Sequence, residues 1–153
     1  MELDNVDVGI LSRLQQDART PFTKIAEELG VSDATIHLRV RKLESHNLIE
    51  KYTIILNEAH IQPITTYVLI RVTPGSVEDV CKELTQIEEI YEVSEIHERY
   101  DILAKIRGRD LSQVRDMLIQ QIRAIPHIVG SEAYTVYKTW KRDYGVNINQ
   151  TYA

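Results

Sequence analysis

The sequence predicts an α+β chain in two parts: an N-terminal helix-turn-helix unit, winged-helix-like in type, followed by a ferredoxin-like βαββαβ domain. Three observations predict it. Between Thr20 and Glu44, two short stretches with helical apolar spacing flank a turn at Gly30. From Thr66 onward, the segments run strand, helix, strand, strand, helix, strand. The second of these halves repeats the first: Val77-x-x-Val80 matches Leu111-x-x-Val114, and Ile87-x-x-Ile90 matches Ile125-x-x-Ile128.

The first helix is expected over Leu3 to Gln16, with Val6, Ile10, Leu11 and Leu14 as its apolar stripe. Asp4 is a suitable N-cap, and Asp7 adds negative charge to the first turn, where the helix dipole favours it. After the link Asp17-Ala18-Arg19-Thr20, Thr20 is expected to cap the second helix and Pro21 to occupy its first turn. Ile25, Ala26 and Leu29 share its inner face. Gly30 ends it, because glycine enters a left-handed turn cheaply. Ser32 caps the third helix through its side-chain oxygen.

In that third helix, Ile36, Val40 and Leu43 fall at i, i+4 and i+7 and form the buried face. Ala34, Thr35, His37, Leu38, Arg41 and Lys42 point away from it, and Arg39 lies on the flank. Short groups at the start can approach base edges, while Arg and Lys reach phosphates or guanine, so the helix from Asp33 to Ser45 suits a DNA major groove. The candidate DNA-contacting set is Ser32, Asp33, Ala34, Thr35, His37, Leu38, Arg39, Arg41 and Lys42. The alternative is an ordinary helical hairpin with a solvated basic face.

Asn47 is expected as a left-handed C-cap, with Leu48 and Ile49 folding back onto the core. Lys51 to Leu56 is β-branched and aromatic enough for a strand, either a wing or the start of a connector. Asn57 to Pro63 is a polar break. The expected organisation is therefore 1–52 helix-turn-helix, 53–63 strand and linker, 64–142 ferredoxin-like domain and 143–153 a polar tail.

In the second domain, strands are expected over Thr66 to Thr73, Tyr91 to Glu98, Ile102 to Arg107 and Ile128 to Lys138. Helices follow the Pro74-Gly75-Ser76 turn, over Val77 to Ile87, and the Gly108-Arg109-Asp110 turn, through to Ile125. Two helices on one face leave the other wet or covered by a second copy. Its apolar and tyrosine content predicts a face-to-face dimer.

Composition bounds the function. The chain has 153 residues, 43% hydrophobic and 27% charged, as in a globular protein. No apolar run approaches the roughly 20 residues that span a bilayer, so no membrane is expected as a partner, and the acidic start lacks a signal-peptide pattern. A cytoplasmic location is expected. The lone Cys81 reads as a buried thiol. The net charge of −5 opposes non-specific DNA binding, but Ile36 to Leu43 holds Arg39, Arg41 and Lys42 and no acidic residue. One copy reaches too few phosphates, which calls for an oligomer. The five histidines show no metal-ligand spacing, and there is no Gly-rich phosphate loop and no Ser/His/Asp motif, so neither enzyme activity, metal nor cofactor is expected. Acid–base work by His97 with Glu98 and Asp101, or base stacking on Tyr67, Tyr91, Tyr134 and Tyr137, would leave the helix-turn-helix unexplained.

LDNVDVGILSRLQQDAR (3–19), IAEELGVSDATIHLRVRKLE (25–44), LIEKYTIIL (48–56) and YDILAKIRGRD (100–110) together resemble the Lrp/AsnC, or leucine-responsive and feast/famine, family of prokaryotic transcription regulators. The resemblance covers about residues 2 to 142. It implies a homodimer, often four dimers in an octameric ring, that binds palindromic promoter DNA. It also implies a small effector, usually an amino acid, bound by the second domain between dimers. The effector role carries to His97, Glu98, Arg99, Tyr100 and Asp101, and to the last strand at Ser131 to Tyr134, with Ser131 and Ala133 as candidates. An effector-independent regulator or a DNA-organising protein of the same family is the runner-up.

The sequence departs from the family pattern at this turn. The family's Thr-Gly-x-Tyr-Asp is here His97-Glu98-Arg99-Tyr100-Asp101, and a frequent threonine on the last strand is Ala133, beside Glu132. A glutamate at the glycine position crowds the pocket and repels a carboxylate. The expectation is that the protein binds no amino acid, a cationic one, or some other ligand, unless Glu98 swings to solvent or pairs with Arg99.

Overall fold

The computed structural model describes residues 2–148, which form two compact units. The first holds the chain up to Leu56 together with the described residues from Lys141 on; the second runs from Asn57 to Trp140.

The first unit contains α1 (Asn5–Gln16), α2 (Phe22–Leu29) and α3 (Asp33–Ser45). Asp4 and Asp7 close a capping box at the start of α1, each carboxylate accepting from the other's backbone N–H. The expected cap at Thr20 is not made. Pro21 occupies the N-cap position of α2 without a side-chain bond, and the Thr20 hydroxyl instead donates to the Asp17 carbonyl at 2.8 Å. Gly30 ends α2 at φ +67, and Ser32 Oγ accepts from Thr35 N. Asn47, at φ +54, closes α3 in a Schellman arrangement, with Asn47 N bonding Glu44 O and Leu48 N bonding Leu43 O. Ile49 packs on the core, but Leu48 stays exposed. Ile10, Leu14, Ile25, Ile36, Val40 and Leu43 form that core, and Ile148 joins them from the far end of the described chain. The described part of the polar tail, up to Ile148, is therefore anchored, with Val146 N donating to Gln15 Oε1 at 2.6 Å.

Lys51 to Leu56 is not a strand. β-branched residues favour extended backbone, but a strand also needs a hydrogen-bonded neighbour, and none among the described residues pairs with this segment. No wing forms there, and Ile54, Ile55 and Leu56 stand exposed. The break at 57–63 contains one helical turn, α4 (Glu58–Ile61).

The second unit contains β1 (Ile64–Val72), α5 (Val77–Leu84), β2 (Ile90–Glu95), β3 (Ile102–Gly108), α6 (Leu111–Asp116) and β4 (Ile128–Thr135). The strands form one antiparallel sheet in the order β2-β3-β1-β4. Val68, Ile70, Ile102, Ala104 and Ile106 pack from the sheet against Val80, Leu84, Val114, Met117 and Ile122 from the helical segments. The repeat is visible in the backbone, where Ile90 N bonds Ile87 O and Ile128 N bonds Ile125 O. Leu111, matched to Val77 in that repeat, is nonetheless exposed. The two helices also end differently. α5 stops at Leu84, whereas α6 widens into a π-helical stretch over Met117–Ile122.

The other sheet face carries Tyr67, Leu69 and Arg71 of β1 and Leu103, Lys105 and Arg107 of β3. It is more charged than expected. Lys105 is largely buried beneath the Tyr67 ring, and Arg107 pairs with Glu58 at 2.7 Å while lying over Tyr91.

Candidate nucleic-acid interface and effector turn

The outer face of α3 is built by its inner one. Ile36, Val40 and Leu43 are buried to 3% exposure or less, which turns Ala34, His37, Leu38, Arg41 and Lys42 outward. Ser32 and Asp33 are exposed and Thr35 is half-buried. The start of the helix is held in place by its own side chains. Ser32 Oγ and Thr35 Oγ1 share a hydrogen bond at 2.8 Å, and His37 Nε2 lies 3.6 Å from Asp33 Oδ2. The His37 ring also meets Phe22 edge-on, with centroids 4.8 Å apart. Further along, no ion pair among the described residues engages Arg41 or Lys42. Leu38, two-thirds exposed at 67%, is an apolar contact point among them.

Arg39 differs from the expectation. Its guanidinium turns from the outer face toward α1, reaching Asp4 Oδ2 at 2.6 Å and both Asp7 oxygens at 3.2 Å. A side chain placed on the flank by the helical wheel is thus engaged inside the unit. Beside α3, a groove of about 360 Å³ is lined by Phe22, His37, Val40, Arg41, Glu44 and Tyr52. Tyr52 donates to Glu44 at 3.0 Å, and burial together with Glu44 pushes the phenol up to about 12. This bond lays the start of the connector along α3.

The turn from His97 to Asp101 is fixed at its end. Asp101 N donates to Ile70 O at 3.0 Å, and Asp101 Oδ2 accepts from Val72 N at 2.8 Å. Glu98 keeps the backbone that suits glycine, at φ +92. Its side chain is exposed and does not pair with Arg99, whose guanidinium lies 3.7 Å from Glu132 and over the Tyr100 ring. The structure brings Arg99 and Tyr100 to Glu132 rather than to Ser131 or Ala133. Residues opposed across antiparallel strands share a face. Ser131 opposes Ile70 and Ala133 opposes Val68, on the helix side, where Ser131 accepts from Arg123 at 3.1 Å. Glu132 opposes Leu69 on the open face. Its carboxyl is held below its ordinary range by the Tyr100 hydroxyl first and the Tyr134 hydroxyl next, with Arg99 and Arg71 adding to this. Glu132, Tyr134 and Arg71 therefore join the turn.

Cys81 is partly buried on α5, and burial pushes its thiol up. No helix among the described residues is long and apolar enough to cross a membrane.

Two family models match the chain: an AsnC-type helix-turn-helix domain over residues 3–44 and an Lrp/AsnC ligand binding domain over residues 65–146. The chain is 34% identical over 142 residues to the HTH-type transcriptional regulator FL11 of Pyrococcus abyssi, covering 92% of this chain and 93% of that one. It is 34% identical over 140 residues to the HTH-type transcriptional regulator LysM of Saccharolobus solfataricus, covering 90% and 96%. Among solved structures it is similar to E. coli AsnC, with a TM-score of 0.86 at 26% identity over 93% of this chain and 97% of that one. A Neisseria meningitidis transcriptional regulator solved as an L-Met complex shares the fold, with a TM-score of 0.87 at 16% identity over 97% and 99%.

Proposed function

Because the chain belongs to the Lrp/AsnC family of transcriptional regulators, we propose that it works as a homodimer or larger assembly in the cytoplasm, reading palindromic promoter DNA with α3 and sensing a basic amino acid at the 97–101 turn. The observation that carries the DNA reading is the outer face of α3. There Ser32, Thr35 and His37 are pre-oriented at the helix start, and Arg41 and Lys42 lie free of ion pairs among the described residues beyond them. Small groups then meet base edges while the cations meet phosphate, and two-fold symmetry spaces the half-sites by helical turns of DNA. Residues 1–52 are the DNA-binding part, 64–142 the effector and dimerisation part, and the protein's work is regulatory rather than catalytic.

Two surfaces support a second copy. The open sheet face mixes Tyr67, Leu69 and Leu103 with charged groups, and the connector exposes Ile54, Ile55 and Leu56 with no strand paired to it among the described residues. The effector reading rests on charge. Arg71 and Arg99 suit a ligand carboxylate, while Glu132 and the exposed Glu98 suit an ammonium group. An amino-acid ligand in a structural neighbour of the same fold supports the class.

The test is a thermal-shift screen against the twenty amino acids. A ligand at about a hundred times its dissociation constant adds roughly 2.7 kcal/mol, which is readily resolved. Lysine, arginine or histidine should raise the midpoint. A hit confined to neutral amino acids would overturn the basic-effector reading. DNA selected from a random pool should carry palindromic half-sites; selection of no sequence at all would overturn specific DNA reading.

A further inference from the structure

We propose that Arg39 is a positioning residue that sets the roll of the recognition helix by bridging Asp4 and Asp7 of α1, and that it does not contact DNA. The inference rests on reading α3 as the DNA-contacting helix. The three residues form one ionic clamp. A single guanidinium nitrogen lies 2.6 Å from Asp4 Oδ2 and 3.2 Å from each Asp7 oxygen. Asp7 is only 1% exposed, so its carboxylate depends on this partner and on the Asp4 backbone N–H, 3.3 Å away. Removing the cation would leave a buried charge with one weak donor. The Asp4 carboxyl is held below its ordinary range first by the Asp7 backbone N–H and also by Arg39, and Arg39 is pushed up by both carboxylates.

The clamp supplies what the apolar seam lacks. Ile36, Val40 and Leu43 hold α3 on its neighbours, but apolar burial is non-directional and leaves the helix some freedom to roll. A charged hydrogen bond has direction. Arg39 ties α3 to the capping box of α1, at residues 32 and 35 positions earlier in the chain. A roll of α3 would move His37 and Arg41 to different base steps. The clamp therefore acts on which sequence is read, not on how strongly phosphate is held.

The experiment uses the full chain and two probes: the palindromic duplex that the wild-type protein selects from a random pool, and a scrambled duplex of equal length. Affinity for each is measured by fluorescence anisotropy across a salt series, at a temperature where circular dichroism shows every variant folded. Arg39→Ala should weaken binding to the selected duplex about tenfold and leave the scrambled duplex and its salt slope unchanged. Mere loss of folded protein would weaken both duplexes alike, so the ratio between them isolates positioning. Arg39→Lys and the milder Asp4→Asn, which keeps the buried Asp7, should lower the ratio less, and they carry the test if Arg39→Ala does not fold. Arg41→Ala is the control: it should weaken both duplexes and flatten the slope by about 0.9 for each phosphate that it no longer neutralises. A flattened slope in Arg39→Ala, or an unchanged ratio in every clamp variant, would overturn the proposal. An unaltered slope in Arg41→Ala would instead sink the reading of α3 as the DNA-contacting helix.

Discussion

Glu98 is a side-chain-bearing residue in a backbone conformation that suits glycine, at φ +92. A side chain in the left-handed region costs about 1–2 kcal/mol, because Cβ crowds the following carbonyl oxygen. Glu98→Gly removes that strain but adds about 0.4–1 kcal/mol of chain entropy to the unfolded state. At the middle of both ranges the net is a gain of about 0.8 kcal/mol in the second unit, or about 3–6 °C in midpoint for a domain of this size. Urea unfolding of the wild type, Glu98→Gly and Glu98→Ala separates the causes. Alanine removes the carboxylate and keeps the strain, so only glycine should stabilise. Equal gains from both would show that charge, not backbone, is responsible, and a loss in Glu98→Gly would refute the strain reasoning outright. The same substitution clears the turn for a carboxylate, so neutral amino acids should bind the glycine variant more tightly than the wild type.

Other expectations are more local. Leu84 is fully buried between α5 and the sheet, and Leu84→Ala should cost about 2–5 kcal/mol, read by calorimetry in the transition of the second unit. Tyr134 donates to Glu132 at 2.6 Å, so Tyr134→Phe should let the Glu132 carboxyl rise toward its ordinary 4.5, seen by carbon-detected NMR titration. The sign follows from linkage: a carboxylate depressed in the folded state stabilises above its unfolded value and loses that contribution as pH falls through the folded one. The stability gap between wild type and Tyr134→Phe at neutral pH should accordingly close in acid below 4.5.

What the sequence made legible was local. The Asp4 cap, the Gly30 turn and the Ser32 cap depend on neighbours within a few residues, and each forms as its chemistry dictates. The internal repeat carried the succession of strands and helices because each half repeats one packing solution. What stayed hidden has long-range causes. The helical wheel put Arg39 on the flank of α3, but its partners lie on another helix, and no periodicity within α3 reveals them. Lys51 to Leu56 has the composition of a strand without a partner to pair with among the described residues. On β4 the hidden feature is one of parity. The register slips between Arg71 and Val72, so Ile128 and Ser131, an odd number of residues apart, face the same side. Such a bulge flips every later side chain to the other face, sending Ser131 and Ala133 toward the helices and Glu132 toward the turn.

The tail has a consequence for how the molecule is made. Ile148 fills the core of the first unit, and Gln15 bonds the Val146 backbone across 131 positions of sequence. During synthesis, α1, α2 and α3 emerge early but lack this piece until the whole second unit has left the ribosome. The second unit, contiguous from Asn57 to Trp140, meets no such delay. Closing so long a loop slows the last step of folding more than it weakens the finished product, since loop-closure entropy grows only with the logarithm of length. The nascent DNA-reading module would therefore mature last although it is translated first, and a fragment cut after Leu56 would hold an open seam where Ile148 belongs.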